Sequence, residues 1–221
     1  MTPPVANRQG ADDLPDVLAI FPLPGAVLLP RQTLSLNIFE PRYVAMVEDA
    51  LGTGRYIGMI QPRPMDAAHE PVAVFPVGCA GRITSFQETD DGRYLIVLTG
   101  VCRYRVGGEI VPERGYRRVR PNWQPFLADL AETPHSTLDV EGLEDSLEGY
   151  LEMNGLKLNL EVVRRLPAAR LVDFLTVNLP LAVEDKQALL ESAGAAERAR
   201  LLRSTLAIAV KTTGTPNRRL H

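Results

Sequence analysis

The chain has 221 residues, of which 45% are hydrophobic and 23% charged, proportions typical of a soluble globular protein. Its 24 basic and 27 acidic residues give a formal net charge of −3, so no strong overall field favours nucleic acid or an anionic membrane. The first residues lack the basic-then-apolar pattern of a signal peptide, and no stretch reaches the ~20 apolar residues of a membrane helix. We therefore expect a cytoplasmic protein that binds neither nucleic acid nor membrane.

The amino-terminal half has the pattern of short strands. Residues 1–14 are rich in Pro, Ala, Asp and Gly without periodicity, which predicts a flexible leader. A helix is predicted from Arg42 to Leu51, because Pro41 stands at its start and Gly52 just past its end. Strands are predicted at residues 17–21, 34–38, 56–60, 75–83, 83–86, 94–98, 103–106 and 116–120, with a hairpin turn at residues 87–93 that carries Asp91-Gly92.

The pattern becomes helical after residue 122. Val140, Leu143, Leu147, Tyr150 and Leu151 follow the three-and-four spacing of a buried helix face. Further helices are predicted at residues 164–177, 183–192 and 195–212, before a flexible tail at residues 213–221. The predicted fold class is α+β, with an antiparallel β-barrel-like (pseudo-barrel) subdomain at residues 15–122 followed by an α-helical bundle at residues 123–212.

Motifs for catalysis are missing from the sequence. No phosphate-binding Gly-x-x-x-x-Gly-Lys-Ser/Thr loop and no Gly-x-Ser-x-Gly elbow occurs. The three histidines, His69, His135 and His221, have no metal-binding or catalytic spacing. A Ser-Lys catalytic pair would need one of the few lysines of the chain, and we expect two of these, Lys186 and Lys211, to face solvent. We therefore predict no enzymatic activity, no cofactor and no metal site.

Two other features have simple structural interpretations. Cys79 and Cys102 are the only cysteines; one disulfide is possible, but we expect two buried, reduced thiols. The basic stretch from Arg114 to Arg120 contains Tyr116 and could contact nucleic acid. A solvated strand, with its arginines alternating with buried Tyr116 and Val119, is the interpretation that the low pI favours.

Three ordered blocks of sequence are informative when they are taken together. The first is Ile20-Phe21-Pro22-Leu23-Pro24-Gly25-Ala26-Val27-Leu28-Leu29-Pro30, followed by Leu34-Ser35-Leu36-Asn37-Ile38-Phe39-Glu40-Pro41-Arg42-Tyr43. The second comprises residues 77–83 and 97–106 on either side of the hairpin turn, and the third residues 178–181, 185–191 and 197–202. Together these blocks resemble the amino-terminal substrate-binding domain of Lon protease, a known family, and the resemblance covers residues 15 to 211.

The resemblance implies a small β-barrel-like domain followed by a helical bundle, in agreement with the pattern of elements. It also implies a module for binding unfolded or partly folded protein segments, and we expect a stand-alone domain without the ATPase and protease modules of Lon. We hypothesise a non-enzymatic protein- or peptide-binding function that captures exposed apolar segments of clients. A groove between the two parts or an exposed strand edge would suit that function. The alternative is an adaptor or scaffold that docks onto a specific folded partner, such as a separate protease or ATPase.

The residues of the first block are candidate site residues, and structural roles are the favoured interpretation for them. Phe39 and Tyr43 are expected to be core or turn residues at a strand-to-helix junction. Glu40 and Arg42 are expected to pair locally or to face a groove. The full set of candidates is Phe21, Pro22, Pro24, Gly25, Phe39, Glu40, Pro41, Arg42 and Tyr43.

Overall fold

The computed structural model of the chain describes residues 10–63, 72–131, 138, 140–159, 161 and 165–213. The chain divides into two compact units, Met1–Thr133 and Pro134–His221. Most of the predicted leader, the tail from residue 214 and all three histidines lie outside the described residues. Residues 10–14, which we assigned to the leader, contain a 3-10 turn at Ala11–Asp13 followed by the buried side chain of Leu14.

The first unit contains a six-stranded sheet. Its strands are β1 Leu18–Pro22, β2 Thr33–Ile38, β3 Tyr56–Ile60, β4 Val77–Glu88, β5 Tyr94–Glu113 and β6 Tyr116–Asn122. The strands follow the order β2-β5-β4-β3-β1-β6, and β6 also pairs with β5. Five strands thus form a closed ring of hydrogen bonds, and β2 lies outside the ring on β5.

Every pairing is antiparallel except that of β1 with β3, in which Ile20 lies opposite Gly58. We expected an antiparallel unit, and this one pair differs because β2 and a helix intervene between β1 and β3. Such a crossover returns the chain to the start of the sheet, so that β3 runs in the direction of β1.

Strand β5 is longer than the sequence pattern indicates. We predicted two strands, at residues 94–98 and 103–106, whereas the structure has one strand of 20 residues. Gly100 interrupts the pattern because the chain approaches it closely: a Cβ at this position would lie 2.0 Å from the carbonyl oxygen of Leu29. The Arg31 amide also donates to the Gly100 carbonyl at 2.7 Å. Gly100 therefore joins the first and second sequence blocks.

Tyr104 fills the interior of the ring. It packs in a buried cluster with Leu18, Ile20, Ile60, Ala80 and Val119. A Cβ on Gly58 or Gly78 would lie 2.6 or 2.7 Å from the Tyr104 hydroxyl oxygen, so the absence of side chains at these two positions makes room for the phenol.

Helix α1, Pro41–Gly52, packs against this unit. Glu40 is its N-cap residue and Pro41 occupies the first turn, where a missing amide proton costs least. Asp49 holds the helix to β6, since the Tyr116 hydroxyl donates to its Oδ2 atom at 2.8 Å. Arg114 donates to Glu48 and Asp49, at 2.6 Å in both cases. The predicted helix at residues 42–51 is confirmed.

A 3-10 helix at Gln124–Leu130 follows β6. It packs on β5, because the Arg103 guanidinium forms a bidentate pair with Asp129 at 2.9 Å for both bonds. The Arg103 guanidinium also lies 4.7 Å from the centre of the Phe126 ring. This buried pair holds the segment on β5, and the first compact unit ends at Thr133. The subdomain boundary after residue 122 stays a prediction.

The second unit is helical. The helices described in it are α2 Leu143–Met153, α3 Ala168–Asn178, α4 Val183–Glu191 and α5 Ala195–Thr213. Their apolar faces meet in one core that includes Leu147, Leu175, Leu189, Leu202 and Leu206. Arg198 ties α5 to α3, since its Nη1 donates to Asp173 at 2.6 Å. The α+β class predicted for the whole chain is confirmed.

Candidate functional site

Several residues of the first sequence block converge at the start of α1. The rings of Phe21 and Tyr43 lie 4.3 Å apart between centroids, and both side chains are buried. The Arg42 guanidinium covers the Tyr43 ring at 4.6 Å and pairs with Glu40 at 2.9 Å. Pro41 begins the helix. These contacts place Glu40 and Arg42 in the local pair that the sequence suggested as one of two possibilities.

The other end of the block forms a turn. Pro22 ends β1 and Pro24 is exposed. Gly25 has φ of 70°, a conformation that favours glycine. Its amide donates to Oε1 of Gln61 at 3.1 Å, and the Gln61 side chain is fully buried. The side-chain amide of the buried residue Gln61 thus holds the turn at Gly25.

We expected Phe39 to be a core or turn residue, and the structure places it in the connection between β2 and α1. Its side chain is 64% exposed, whereas the preceding residue, Ile38, is buried. Successive side chains of a strand point to opposite faces, so Ile38 occupies the inward position at the end of β2. The chain then turns into α1, and the Phe39 side chain remains on the surface. A large aromatic side chain on the surface does not contribute to the core, so its exposure is informative about binding.

Strand β2 has one open edge. The Gly100 amide donates to the Gln32 carbonyl at 2.8 Å, and the pairing continues with Thr33 opposite Thr99. Antiparallel pairs alternate between bonded and non-bonded. The bonded residues of β2 are therefore Leu34, Leu36 and Ile38, and the N–H and C=O groups of Thr33, Ser35 and Asn37 point away from β5. Among the described residues none bonds to these outward groups, and the side chains of all three residues are exposed.

Apolar side chains lie on the sheet next to this edge. Leu36 of β2 and Phe86 of β4 both lie opposite the buried Ile96 of β5. The Phe86 ring is 40% exposed and meets the Tyr94 ring edge-on at 4.9 Å between centroids. We define the β2 edge surface as residues Thr33–Phe39, with Phe86 and Tyr94 as its apolar neighbours. The signal in the sequence is an alternating, uncharged run followed by an aromatic residue.

The structure also corrects one expectation about the lysines. We expected Lys186 to face solvent, and this is wrong: the side chain is 5% exposed. Its ammonium group donates to the Val177 carbonyl at 3.1 Å, near the end of α3, where carbonyl groups attract a cation. Burial lowers the pKa of Lys186. The Tyr150 hydroxyl donates to the Pro180 carbonyl at 3.0 Å, so both side chains hold the α3–α4 connection.

Cys79 and Cys102 are buried free thiols. Burial, followed by the Asp129 carboxylate, raises the pKa of Cys79 well above its usual value and that of Cys102 to about 12. Both thiols are therefore protonated at neutral pH and are poor nucleophiles. Within the described ranges no group of three or more His, Cys, Asp or Glu residues could hold a metal ion. No helix there is long and apolar enough to cross a membrane.

The chain thus combines a five-strand ring of hydrogen bonds, one strand with an open edge and a helical unit with its own core. Its family is given by comparison with known proteins: residues 17–207 match the "ATP-dependent protease La (LON) substrate-binding domain". The chain belongs to this family. It is 28% identical over 219 residues to Lon protease 2 of Myxococcus xanthus and 32% identical over 216 residues to Lon protease 2 of Sorangium cellulosum.

These alignments cover 91% of this chain, but only 24% and 25% of the two relatives. The chain thus spans about a quarter of the length of the curated relatives it matches. Among solved structures, the Lon N-terminal domain protein from Xanthomonas campestris is similar, with a TM-score of 0.60 and 25% identity. That likeness covers 85% of this chain and 97% of the other. Family and fold therefore agree over nearly the whole chain.

Proposed function

We propose that this protein is a binding module, without catalysis of its own, that captures exposed apolar segments of unfolded or partly folded client proteins. The observation that carries the proposal is the β2 edge surface, where a 64% exposed Phe39 follows a strand with an open backbone edge. Membership of the Lon substrate-binding family supports protein segments as the ligand.

The physical basis is the exposure of apolar groups beside unpaired backbone groups. Apolar side chains of a client would remove Phe39, Phe86 and Leu36 from water, which is the main source of favourable free energy in such contacts. The Phe39 and Phe86 rings are rigid and large, properties that recur in residues that dominate binding energy. Folded proteins keep matching segments buried and offer few of them. The proposal therefore predicts discrimination between unfolded and folded forms of one client.

The first test measures binding of a reduced and alkylated protein, which stays unfolded, and of its folded form. We expect the unfolded form to bind in the micromolar range and the folded form not to bind, by isothermal titration calorimetry or fluorescence anisotropy. Equal binding of both forms would contradict client capture and favour docking onto a folded partner. No binding of either form at high micromolar concentration would contradict both functions for these ligands.

The variant Phe39→Ser tests the site. We expect binding of the unfolded protein to weaken roughly tenfold or more, because burial of a Phe side chain contributes about 1.5–3 kcal/mol and about 1.4 kcal/mol corresponds to a factor of ten. Val111→Ser is the matched control, since Val111 is 79% exposed and lies at the far end of β5. Equal losses in the two variants would place the binding surface elsewhere.

A further inference from the structure

We propose that the open edge of β2 takes client segments as an added β-strand, and that the preferred segment is an extended, uncharged peptide with apolar side chains at every second position. This inference rests on the proposed function and specifies the geometry by which it operates. Strand addition uses the outward N–H and C=O groups for affinity and the side chains flanking them for specificity.

Natural sheets usually protect an open edge. The protective features are charged residues, proline, irregular register and short length. Residues 33–39 contain no charged residue, no proline and no glycine, and the β2–β5 register runs without a shift from Thr33 to Ile38. At six residues, β2 has the usual length of a strand. The edge thus combines the features that make a strand receptive to another.

Two other described stretches of five or more residues also have an open edge, and both carry protective features. Residues 84–88 of β4 lie beyond the pairing with β3; a register shift falls at Thr84, and the stretch ends in Glu88. Residues 107–113 of β5 pair only with β6; they contain two glutamates and a proline, and two register shifts occur there. Of these open edges, that of β2 is the one without protective features.

The side chains of β2 specify the pattern of the added strand. Leu34 and Leu36 lie on one face and are half-buried, whereas Thr33, Ser35 and Asn37 lie on the other face and are exposed. A strand added at the edge continues the same pleat, so its side chains flank those of β2 on each face. Residues beside Leu34 and Leu36 would gain by being apolar, and their alternate neighbours by being polar. The preferred segment therefore alternates with period two.

The first experiment uses the full chain and synthetic eight-residue peptides in which valine alternates with threonine. Peptide A is unmodified, peptide B is N-methylated at the valines and peptide C at the threonines. In an extended peptide the amides of these two sets point to opposite edges. We expect one of peptides B and C to bind at least tenfold more weakly than A and the other to bind within threefold of A. Equal affinity of B and C, or tighter binding of a peptide of the same composition in block order, would overturn strand addition.

The second experiment changes the protein. Ser35→Pro removes an outward N–H group, and Ser35→Ala retains it, so Ser35→Ala is the matched control. Proline is tolerated at an edge strand when its nitrogen faces away from the partner strand. We expect Ser35→Pro to weaken binding of peptide A at least fivefold and Ser35→Ala to leave it within twofold. Circular dichroism and thermal unfolding establish that both variants fold. Equal affinities of two folded variants would overturn the proposal.

The outcomes separate this inference from the proposed function. If the unfolded protein and peptide A bind but methylation and Ser35→Pro have no effect, client capture stands and strand addition fails. If neither the unfolded protein nor peptide A binds, both fail. A loss confined to one methylated peptide and to Ser35→Pro supports both.

Discussion

At the residue scale, Tyr104 fills the interior of the ring with its phenol ring while its hydroxyl group stays without a hydrogen bond among the described residues. Its side chain is fully buried. Burial raises the pKa of Tyr104 well above its usual value, and Cys79 adds to the effect. A buried hydroxyl without a partner costs about 1–3 kcal/mol. The phenol ring is therefore the part of Tyr104 that stabilises the core.

Tyr104→Phe should raise the free energy of unfolding by about 1 kcal/mol, because it deletes the unbonded hydroxyl and keeps the ring. Tyr116→Phe is the matched comparison: its hydroxyl donates to Asp49, so that variant should lose about 1 kcal/mol. Urea unfolding followed by tryptophan fluorescence measures both. Destabilisation by Tyr104→Phe as large as that by Tyr116→Phe would show that the Tyr104 hydroxyl is hydrogen-bonded in solution.

The two buried thiols predict a loss of stability at alkaline pH. Their pKa values are raised in the folded protein, to about 12 for Cys102 and well above the usual value for Cys79, whereas an unfolded thiol ionises near pH 8.5. Between about pH 8.5 and 12 the folded state retains protons that the unfolded state has released. The free energy of unfolding therefore falls as pH rises through this window, by up to about 1.4 kcal/mol per pH unit for each thiol.

Cys102→Ala should reduce this slope by the contribution of one thiol. Val119→Ala serves as the control, because it truncates another fully buried side chain without removing a titrating group. Urea unfolding of the reduced protein from pH 7 to 10.5 measures the slopes. A slope in Cys102→Ala equal to that of the parent would refute the assignment.

At the scale of elements, one buried ion pair holds the 3-10 helix to β5. The side chains of Arg103 and Asp129 are 6% and 11% exposed, and the Arg103 amide also donates to the Asp129 carboxylate at 3.0 Å. Asp129→Asn should lower the free energy of unfolding by about 3 kcal/mol, since it leaves a buried guanidinium without its counter-charge. Asp91→Asn, in an exposed pair with Arg93 at the same 2.9 Å distance, should change it by less than about 1 kcal/mol. Thermal and urea unfolding compare the two; similar losses would mean that burial does not control the pair.

Elements with local signals were predictable from the sequence. Helix α1 has Pro41 at its start and Gly52 at its end, and the hairpin between β4 and β5 has Asp91-Gly92 with the expected positive φ at Gly92. The 3-10 helix was not predicted, because its position depends on Asp129 reaching Arg103 across 26 residues. Lys186 was wrongly predicted to face solvent for the same reason: its partner, the Val177 carbonyl, belongs to another helix and has no local signal in the sequence.

The candidate site was predictable only in part. An exposed strand edge was among the expectations, and the alternating residues 34–38 were identified as a strand. Which edge is open depends on the ring, and closure of the ring depends on β1 pairing with both β3 and β6. Neither pairing has a local signal. Phe39 was expected to be a core or turn residue because it stands at a strand-to-helix junction; its exposure follows from the direction in which the chain leaves β2.

At the scale of the whole molecule, the second unit has its own core and its own buried polar ties. Arg198 contacts both Asp173 and the Leu189 carbonyl, and Lys186 and Tyr150 hold the connection between α3 and α4. These contacts lie within Pro134–His221, as the ring and its ties lie within Met1–Thr133. Each unit therefore has the internal contacts that an independently stable domain requires.

The order of strands in the ring has a consequence for synthesis. Leu18 of β1 lies opposite Val119 of β6, so about 100 residues must be translated after β1 before the ring can close, or roughly 5–20 s at usual rates of elongation. During that interval β1 and β3 can pair, but the far side of β1 has no partner. The nascent chain then carries an open strand edge of its own. We propose that this protein binds the exposed strands of other proteins, and during its own synthesis it exposes such a strand itself. Ribosome-bound chains that end before β6 should therefore be the state most vulnerable to binding through that edge.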